Sequence, residues 1–183
     1  MIPSDGTPAR AEGTVIWFTG LPGSGKSTVA DWVAEQLRQQ GLPVERLDGD
    51  VVRRVFPETG FTRAERDAHV RRIGYLASRL AAHGVFVVAS FVTSYADSRR
   101  FIRNLCPSYL EVYVSTPLEE CERRDPKGMY AKARRGEISN FTGVSDPYEP
   151  PTSPDVTIDT SKVSLEAAGA LVLQALARLR GEG

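Results

Sequence analysis

The segment Gly20-Leu21-Pro22-Gly23-Ser24-Gly25-Lys26-Ser27 constrains this chain more than any other. It follows the apolar run Val15-Ile16-Trp17-Phe18-Thr19 and precedes a helix-like run from Thr28 to Gln40. The pattern GxxxxGK(S/T) between a strand and a helix reads as a phosphate-binding loop. Its glycines let backbone N–H groups turn inward on phosphate oxygens, and the helix offers its positive N-terminus to the same anion. Nucleotide contacts are then expected from Gly20 through Ser27 to Thr28, with the Lys26 ammonium reaching the β- and γ-phosphates and the Ser27 hydroxyl ligating Mg²⁺. ATP and Mg²⁺ are the cofactors this implies. A glycine-rich turn that merely carries a lysine has no need of a strand before it and a helix after it.

Further short apolar runs rich in β-branched residues follow: Val44 to Leu47, Val85 to Ser90, Leu110 to Val114 and Val156 to Ile158, with helical stretches between them. Alternation of this kind predicts an α/β fold, a three-layer sandwich of the phosphate-loop NTPase type around a five-stranded parallel sheet. Ligands in such sheets sit beyond the carboxyl ends of the strands. The 183 residues suit one domain over 13–183, preceded by a polar leader over 1–12 expected to be disordered. Lys plus Arg and Asp plus Glu balance at 23 each, which gives no broad basic footprint for nucleic acid or an anionic membrane. The two cysteines, Cys106 and Cys121, are too few for a disulfide framework and read as buried thiols of a protein in a reducing, cytoplasmic compartment. No run approaches the length needed to span a bilayer.

Chemistry-bearing residues cluster after the second and third strands. Asp48-Gly49-Asp50 puts two carboxylates at a strand end, where they suit holding Mg²⁺ or taking a proton, and equally suit capping the next helix. The third strand ends without an acidic residue to support a metal, which throws that task onto Asp48 or Asp50. Thr62 with Glu65 fits a capping box opening a helix, which sets Arg66, His69 and Ile73 on one side. With Arg53 they make either a pocket for an anionic substrate or a solvated basic face. His69 is not expected to bind metal, because His83 lies at the far end of the same helix. Thr93 and Ser94 suit substrate contact or an N-cap. The stretch 125–154 is rich in Gly, Pro, Lys and Arg and is expected to be a functional lid, its cations Lys127, Lys132, Arg134 and Arg135 meeting the transferring phosphoryl group or the substrate's anion and Phe141 stacking on a base, with a surface loop of solvated charges as the alternative.

These residues resemble the adenylylsulfate kinase family, which phosphorylates the ribose 3′-hydroxyl of adenosine 5′-phosphosulfate with MgATP. The resemblance covers about 14–160 and rests on FTGLPGSGKST (18–28), LDGDVVR (47–53), RDAHVRRIG (66–74) and KGMYAKARRGEISNFTGVSDPYEPP (127–151), the last nearly diagnostic. It implies that Asp50 is the base toward the hydroxyl, that Lys26 and Lys127 act on developing charge, and that Arg124 joins the nucleotide contacts. It further implies that Arg53 and Arg66 hold the phosphosulfate, that Phe61 and Phe141 sandwich its adenine, that His69, Thr93 and Val144 line the acceptor site, and that the protein is a homodimer. The family usually has Asn at the position of His69 and Ser-Pro-Tyr-Arg at Thr93-Ser94-Tyr95-Ala96. Both departures fall on the acceptor side, so a same-fold kinase for another nucleotide-like acceptor, such as a cytidine diphosphate derivative, is the alternative.

Overall fold

A computed structural model describes residues 12–181, so the leader expected over 1–12 lies almost wholly outside the described residues. Five strands form one parallel sheet: β1 (Val15–Gly20), β2 (Val44–Asp48), β3 (Phe86–Ser90), β4 (Tyr109–Val114) and β5 (Val156–Ile158), in the order β2-β3-β1-β4-β5. The expected parallel sheet is present, with strand bounds within a residue or so of those read from the apolar runs. Each interior strand buries both faces, which is why these runs are continuously apolar instead of alternating. Along β1, Ile16 and Phe18 enter a core with α1 (Lys26–Gln39) and α7 (Leu165–Arg180). Val15 and Trp17 point the other way, toward α3 (Arg63–Ala82) and α4 (Ala96–Leu105). Helices thus cover both faces, and Trp17, fully buried, is a packing residue.

Helix ends follow local chemistry. After α1 the chain turns at Gly41, whose φ of 77° lies in the left-handed region. The Gly41 N–H donates to the Arg38 carbonyl (2.9 Å) and the Leu42 N–H to the Leu37 carbonyl (3.2 Å), the Schellman arrangement that glycine favours. Helix α3 opens with the expected capping box of Thr62 and Glu65. Helix α4 does not use Thr93 or Ser94 as its cap. Its N-cap is Tyr95, and the Ala96 N–H donates instead to Glu149 Oε2 at 2.7 Å, a partner far along the chain.

The register sets the ends of β2 and β3 level, two residues short of the end of β1. Phe18 of β1 and Asp48 of β2 both lie beside Ser90 of β3. Three short helices complete the fold: α2 (Gly49–Val55), α5 (Leu118–Arg124) and α6 (Met129–Arg134). The last lies inside the stretch read from sequence as a loop-like lid. Two carboxylate oxygens of Asp125 accept the Tyr130 and Ala131 N–H groups at 3.0 Å each and start it.

Helices α3 and α4 meet where Gly74 leaves no room for a side chain: a Cβ there would lie 2.6 Å from Ile102, which is fully buried. Gly74→Ala gains roughly 1 kcal/mol of helix propensity but overpacks a rigid contact at about 1–3 kcal/mol. We expect net destabilisation, seen as a lower denaturant midpoint at unchanged slope; a higher midpoint would contradict this packing.

Candidate active site

The phosphate loop leaves β1 and turns into α1 at Gly25, the N-cap, whose φ of 93° no β-carbon-bearing residue adopts easily and whose Cβ would press on Thr160 at 3.0 Å. No side chain caps α1 and no acidic residue stands in its first turn, so its positive end is kept for an external anion. From behind, Thr116 Oγ1 (3.0 Å) and Thr160 Oγ1 (2.8 Å) donate to the Ser24 carbonyl and brace the loop. Arg124, at the end of α5, donates to Thr160 Oγ1 (2.8 Å) and to its carbonyl (3.2 Å), which places its guanidinium at the loop's flank.

Lys26 is buried and donates to the Leu21 carbonyl at 2.7 Å. Burial lowers its pKa to about 8 against the opposing pull of Cys121, Asp50 and Asp48. Ser27 Oγ donates to Asp48 Oδ2 at 2.7 Å. The two carboxylates that the sequence left equivalent therefore separate. Asp48 caps α2, its Oδ1 accepting the Asp50 N–H (2.9 Å) and the Val51 N–H (3.4 Å), while Oδ2 faces the phosphate loop. Burial alone would raise the Asp48 pKa; the Ser27 and Ser90 hydroxyls, the Asp50 N–H and the Arg46 charge outweigh it and hold the carboxyl below its ordinary value. Asp50 is exposed and pairs with Lys127 of the lid.

Among the described residues no group of three or more His, Cys, Asp or Glu could hold a metal ion. A hydroxyl and an ionised carboxylate beside a phosphate loop nonetheless fit Mg²⁺, which takes hard oxygen ligands, keeps several waters and shares its shell with substrate phosphates. Asp48, weighed in the sequence but not assigned there, is thus the partner that the geometry gives Ser27.

The basic residues after β2 converge. The Arg53 guanidinium lies 4.5 Å from the centre of the Phe61 ring, and Arg66 lies 5.9 Å from it. Phe61 is 56% exposed beneath them. Arg53 also donates to the Thr59 carbonyl (3.0 Å), and Arg66 bonds to the Asn140 carbonyl and to Thr142 Oγ1 (2.6 Å), neighbours of Phe141. His69 is buried, with Nδ1 3.3 Å from Thr59 Oγ1 and Nε2 lacking a partner. Burial, then the charges of Arg53 and Arg72, depress its pKa, which keeps it neutral near pH 7. Thr93 adopts φ 47° and its Oγ1 accepts the Trp17 indole N–H at 3.0 Å, so its hydroxyl is already engaged.

The lid rests on this assembly. Tyr130 Oη donates to the Pro22 carbonyl at 2.8 Å, and the Tyr148 hydroxyl lies 2.9 Å from Thr19 Oγ1. Phe141 is buried edge-on against Tyr130 (5.0 Å between centroids), in a cluster that takes in Leu21, Cys121 and Val144. Arg66 links the two rings, its guanidinium near Phe61 and bonded to Asn140 and Thr142 on either side of Phe141. Both cysteines are free and buried, as the sequence suggested, and burial pushes Cys106 up to about 11.

A parallel sheet with a phosphate loop after its first strand, a carboxylate beside the loop's hydroxyl and a lid across it defines a phosphate-loop kinase. Residues 12–159 match the adenylylsulphate kinase family. The chain is 50% identical to the adenylyl-sulfate kinase of Synechococcus sp. (strain JA-3-3Ab), covering 90% of this chain and 94% of that one. It is 49% identical to that of Chloroflexus aurantiacus, over 94% of this chain and 93% of the other. The structure of the Mycobacterium tuberculosis APS kinase in complex with AMPPNP and APS superposes with a TM-score of 0.86 at 39% identity, covering 90% of this chain and 98% of that one. The chain belongs to the adenylylsulphate kinase family.

Because desolvation lets Lys26 lose its proton near pH 8 while a bound phosphate favours the charged form, nucleotide binding must take up a proton above that pH. ADP affinity measured by calorimetry should hold between pH 6.5 and 7.5, then fall by up to about tenfold per pH unit above 8. An affinity flat to pH 9.5 would show that Lys26 keeps its proton.

Proposed function

We propose that this chain transfers the γ-phosphoryl group of ATP to the ribose 3′-hydroxyl of adenosine 5′-phosphosulfate, releasing ADP and 3′-phosphoadenosine 5′-phosphosulfate. The observation that carries this reading is the seating of the lid, which brings Lys127 onto Asp50 and Tyr130 onto the phosphate loop beside the Arg53–Phe61–Arg66 cluster. One enclosure thereby joins a phosphate-binding end to an end suited to a second, anionic nucleotide.

The chemistry asks mainly for in-line positioning and charge stabilisation. Asp50 accepts the proton of the 3′-hydroxyl as its oxygen bonds to the γ-phosphorus, and the bond from that phosphorus to the β–γ bridging oxygen breaks, its electron pair leaving with ADP. Exposure suits Asp50 to this task, since its carboxylate is not committed to a helix cap as Asp48 is. Lys26 balances charge on the β- and γ-phosphate oxygens, with Gly20, Leu21, Pro22, Gly23, Ser24, Gly25 and Thr28 shaping the loop. Mg²⁺, when bound, would neutralise charge on the same oxygens, and Ser27 and Asp48 are the residues that would hold it. Arg124 flanks the ATP side.

On the acceptor side Arg53 and Arg66 hold the phosphosulfate, and Phe61 and Phe141 flank the adenine. His69, Thr93 and Val144 complete the wall. Lys127 leaves Asp50 as the acceptor enters and meets the charge that develops on the transferring group. The buried free thiols support a reducing, cytoplasmic setting, and no helix among the described residues is long and apolar enough to cross a membrane. The homodimer that the family resemblance implies is part of the same reading.

Asp50→Ala should leave ATP affinity intact and lower turnover by roughly 10² or more in a coupled ADP-release assay with adenosine 5′-phosphosulfate. Near-normal turnover would remove Asp50 as base, and faster turnover of another nucleotide in the same panel would displace the acceptor. Phe61, being exposed, can be removed without a hole in the core. Phe61→Ala should weaken the acceptor by about 1–3 kcal/mol, the value of a base stacked on an aromatic ring, with KM for ATP unchanged. An effect confined to ATP would reassign the ring.

A further inference from the structure

One polar network beside the phosphate loop joins Ser27 and Asp48, placed above at the metal, to three residues with no part in the roles above: Asp31, Arg46 and Ser90. Ser27 and Asp31 stand four residues apart on α1, on one face of that helix. Arg46 and Asp48 stand two apart on β2, on one face of that strand, with Ser90 of β3 in register beside Asp48. These two periodicities bring five polar side chains together between α1 and the sheet. The Arg46 guanidinium is at their centre: Nε donates to Asp31 Oδ1 (2.8 Å), and one terminal nitrogen donates to the Leu47 carbonyl (2.8 Å) and the Val88 carbonyl (3.3 Å). The other terminal nitrogen donates to Ser90 Oγ (2.8 Å) and lies 3.4 Å from Asp48 Oδ2.

The donors are ordered. A guanidinium can only donate, so Ser90 Oγ accepts from it and gives its own hydrogen to Asp48 Oδ2, 2.9 Å away. Oδ2 thus receives a fixed hydroxyl from one side and Ser27 from the other, while Oδ1 is occupied by the cap of α2. Both carboxylate oxygens are held by hydrogen bonds from separate elements. Arg46 itself is only 13% exposed, and its inner nitrogen Nε is held by Asp31, which is 67% exposed.

We propose that Arg46, acting through Ser90, is the positioning residue that aims Asp48 at the metal bound with the nucleotide. The inference rests on the reading of Ser27 and Asp48 as the residues that hold Mg²⁺. Arg46 touches neither substrate nor metal; its effect is to fix the orientation and charge of the carboxylate that does. A planar fork meeting two strands and a helix at once is a task that lysine's single ammonium cannot reproduce.

The test uses Mn²⁺ as the probe. Its affinity for the enzyme–ADP complex is read from the electron paramagnetic resonance signal of free Mn²⁺, and ADP affinity is measured separately in chelator. For Arg46→Met, ADP binding in chelator should stay within about twofold of the parent, while Mn²⁺ affinity falls roughly tenfold or more, the usual cost of losing an outer-shell partner. Arg46→Lys should fall between, and so keeps the test alive if the methionine variant does not fold. Unchanged Mn²⁺ affinity in the Arg46 variants, or an equal loss of ADP binding in chelator, would overturn the proposal. Asp48→Asn separates the two layers. If it loses Mn²⁺ while the Arg46 variants do not, only the role of Arg46 fails; if it too keeps Mn²⁺, the metal reading falls and the Arg46 proposal falls with it.

Discussion

Asp48 and Ser90 end β2 and β3 at one level, with Phe18 of β1 in register beside Ser90, and the site is built on that alignment. Parallel strands present their carboxyl ends on one side of the sheet, so the turns that follow β1, β2 and β3 must share the same space. The first supplies the phosphate loop, the second the two aspartates, and the third the hydroxyls and the Thr93 turn. A slip of one residue in β2 would turn Arg46 and Asp48 to the opposite face, away from Ser27 and Asp31. The buried alternation of β1 and β3 against two separate cores fixes the register that the polar residues need.

Division of labour between the two aspartates follows from this. Both sit in the same four-residue turn, yet one has every oxygen engaged and the other projects into solvent toward the lid. Capping by Asp48 starts α2 with a fixed direction, and that direction carries Asp50 to Lys127 and Arg53 to Phe61. Structural and chemical tasks are thus distributed over adjacent residues instead of being combined in one. The lid in turn meets the phosphate loop directly, with Leu21 packed against the cluster of Tyr130 and Phe141 and the Tyr130 hydroxyl donating to the Pro22 carbonyl.

The strands and α1 were legible because each rests on a local feature: runs of β-branched residues for the strands, and a phosphate-loop motif opening a helix-like run for α1. The capping box at Thr62 was legible for the same reason, since its partners are three residues apart. Features joined across the chain were not. Glu149 receives the first N–H of α4 from 53 residues away, so Thr93 and Ser94 looked like caps when they are not. Helix α6 has six residues and is started by the side chain of Asp125, too short for any periodic signal. The choice between Asp48 and Asp50 also lay beyond local pattern, because only the placement of Ser27 across the sheet end distinguishes them. Arg46 drew no attention for a related reason: a lone arginine on an edge strand reads as surface until Ser90 is brought beside it.

In the proposed reaction Asp50, released from Lys127, faces the acceptor hydroxyl in line with the terminal phosphate of ATP. A crystal structure with ADP, a metal-fluoride mimic of the transferring phosphoryl group and adenosine 5′-phosphosulfate tests this directly. The account predicts an Asp50 carboxylate oxygen within about 3 Å of the ribose 3′-oxygen, that oxygen opposite the ADP leaving oxygen across the mimic, and Lys127 turned to the mimic. An Asp50 still paired with Lys127, with a different group on the hydroxyl, would contradict it.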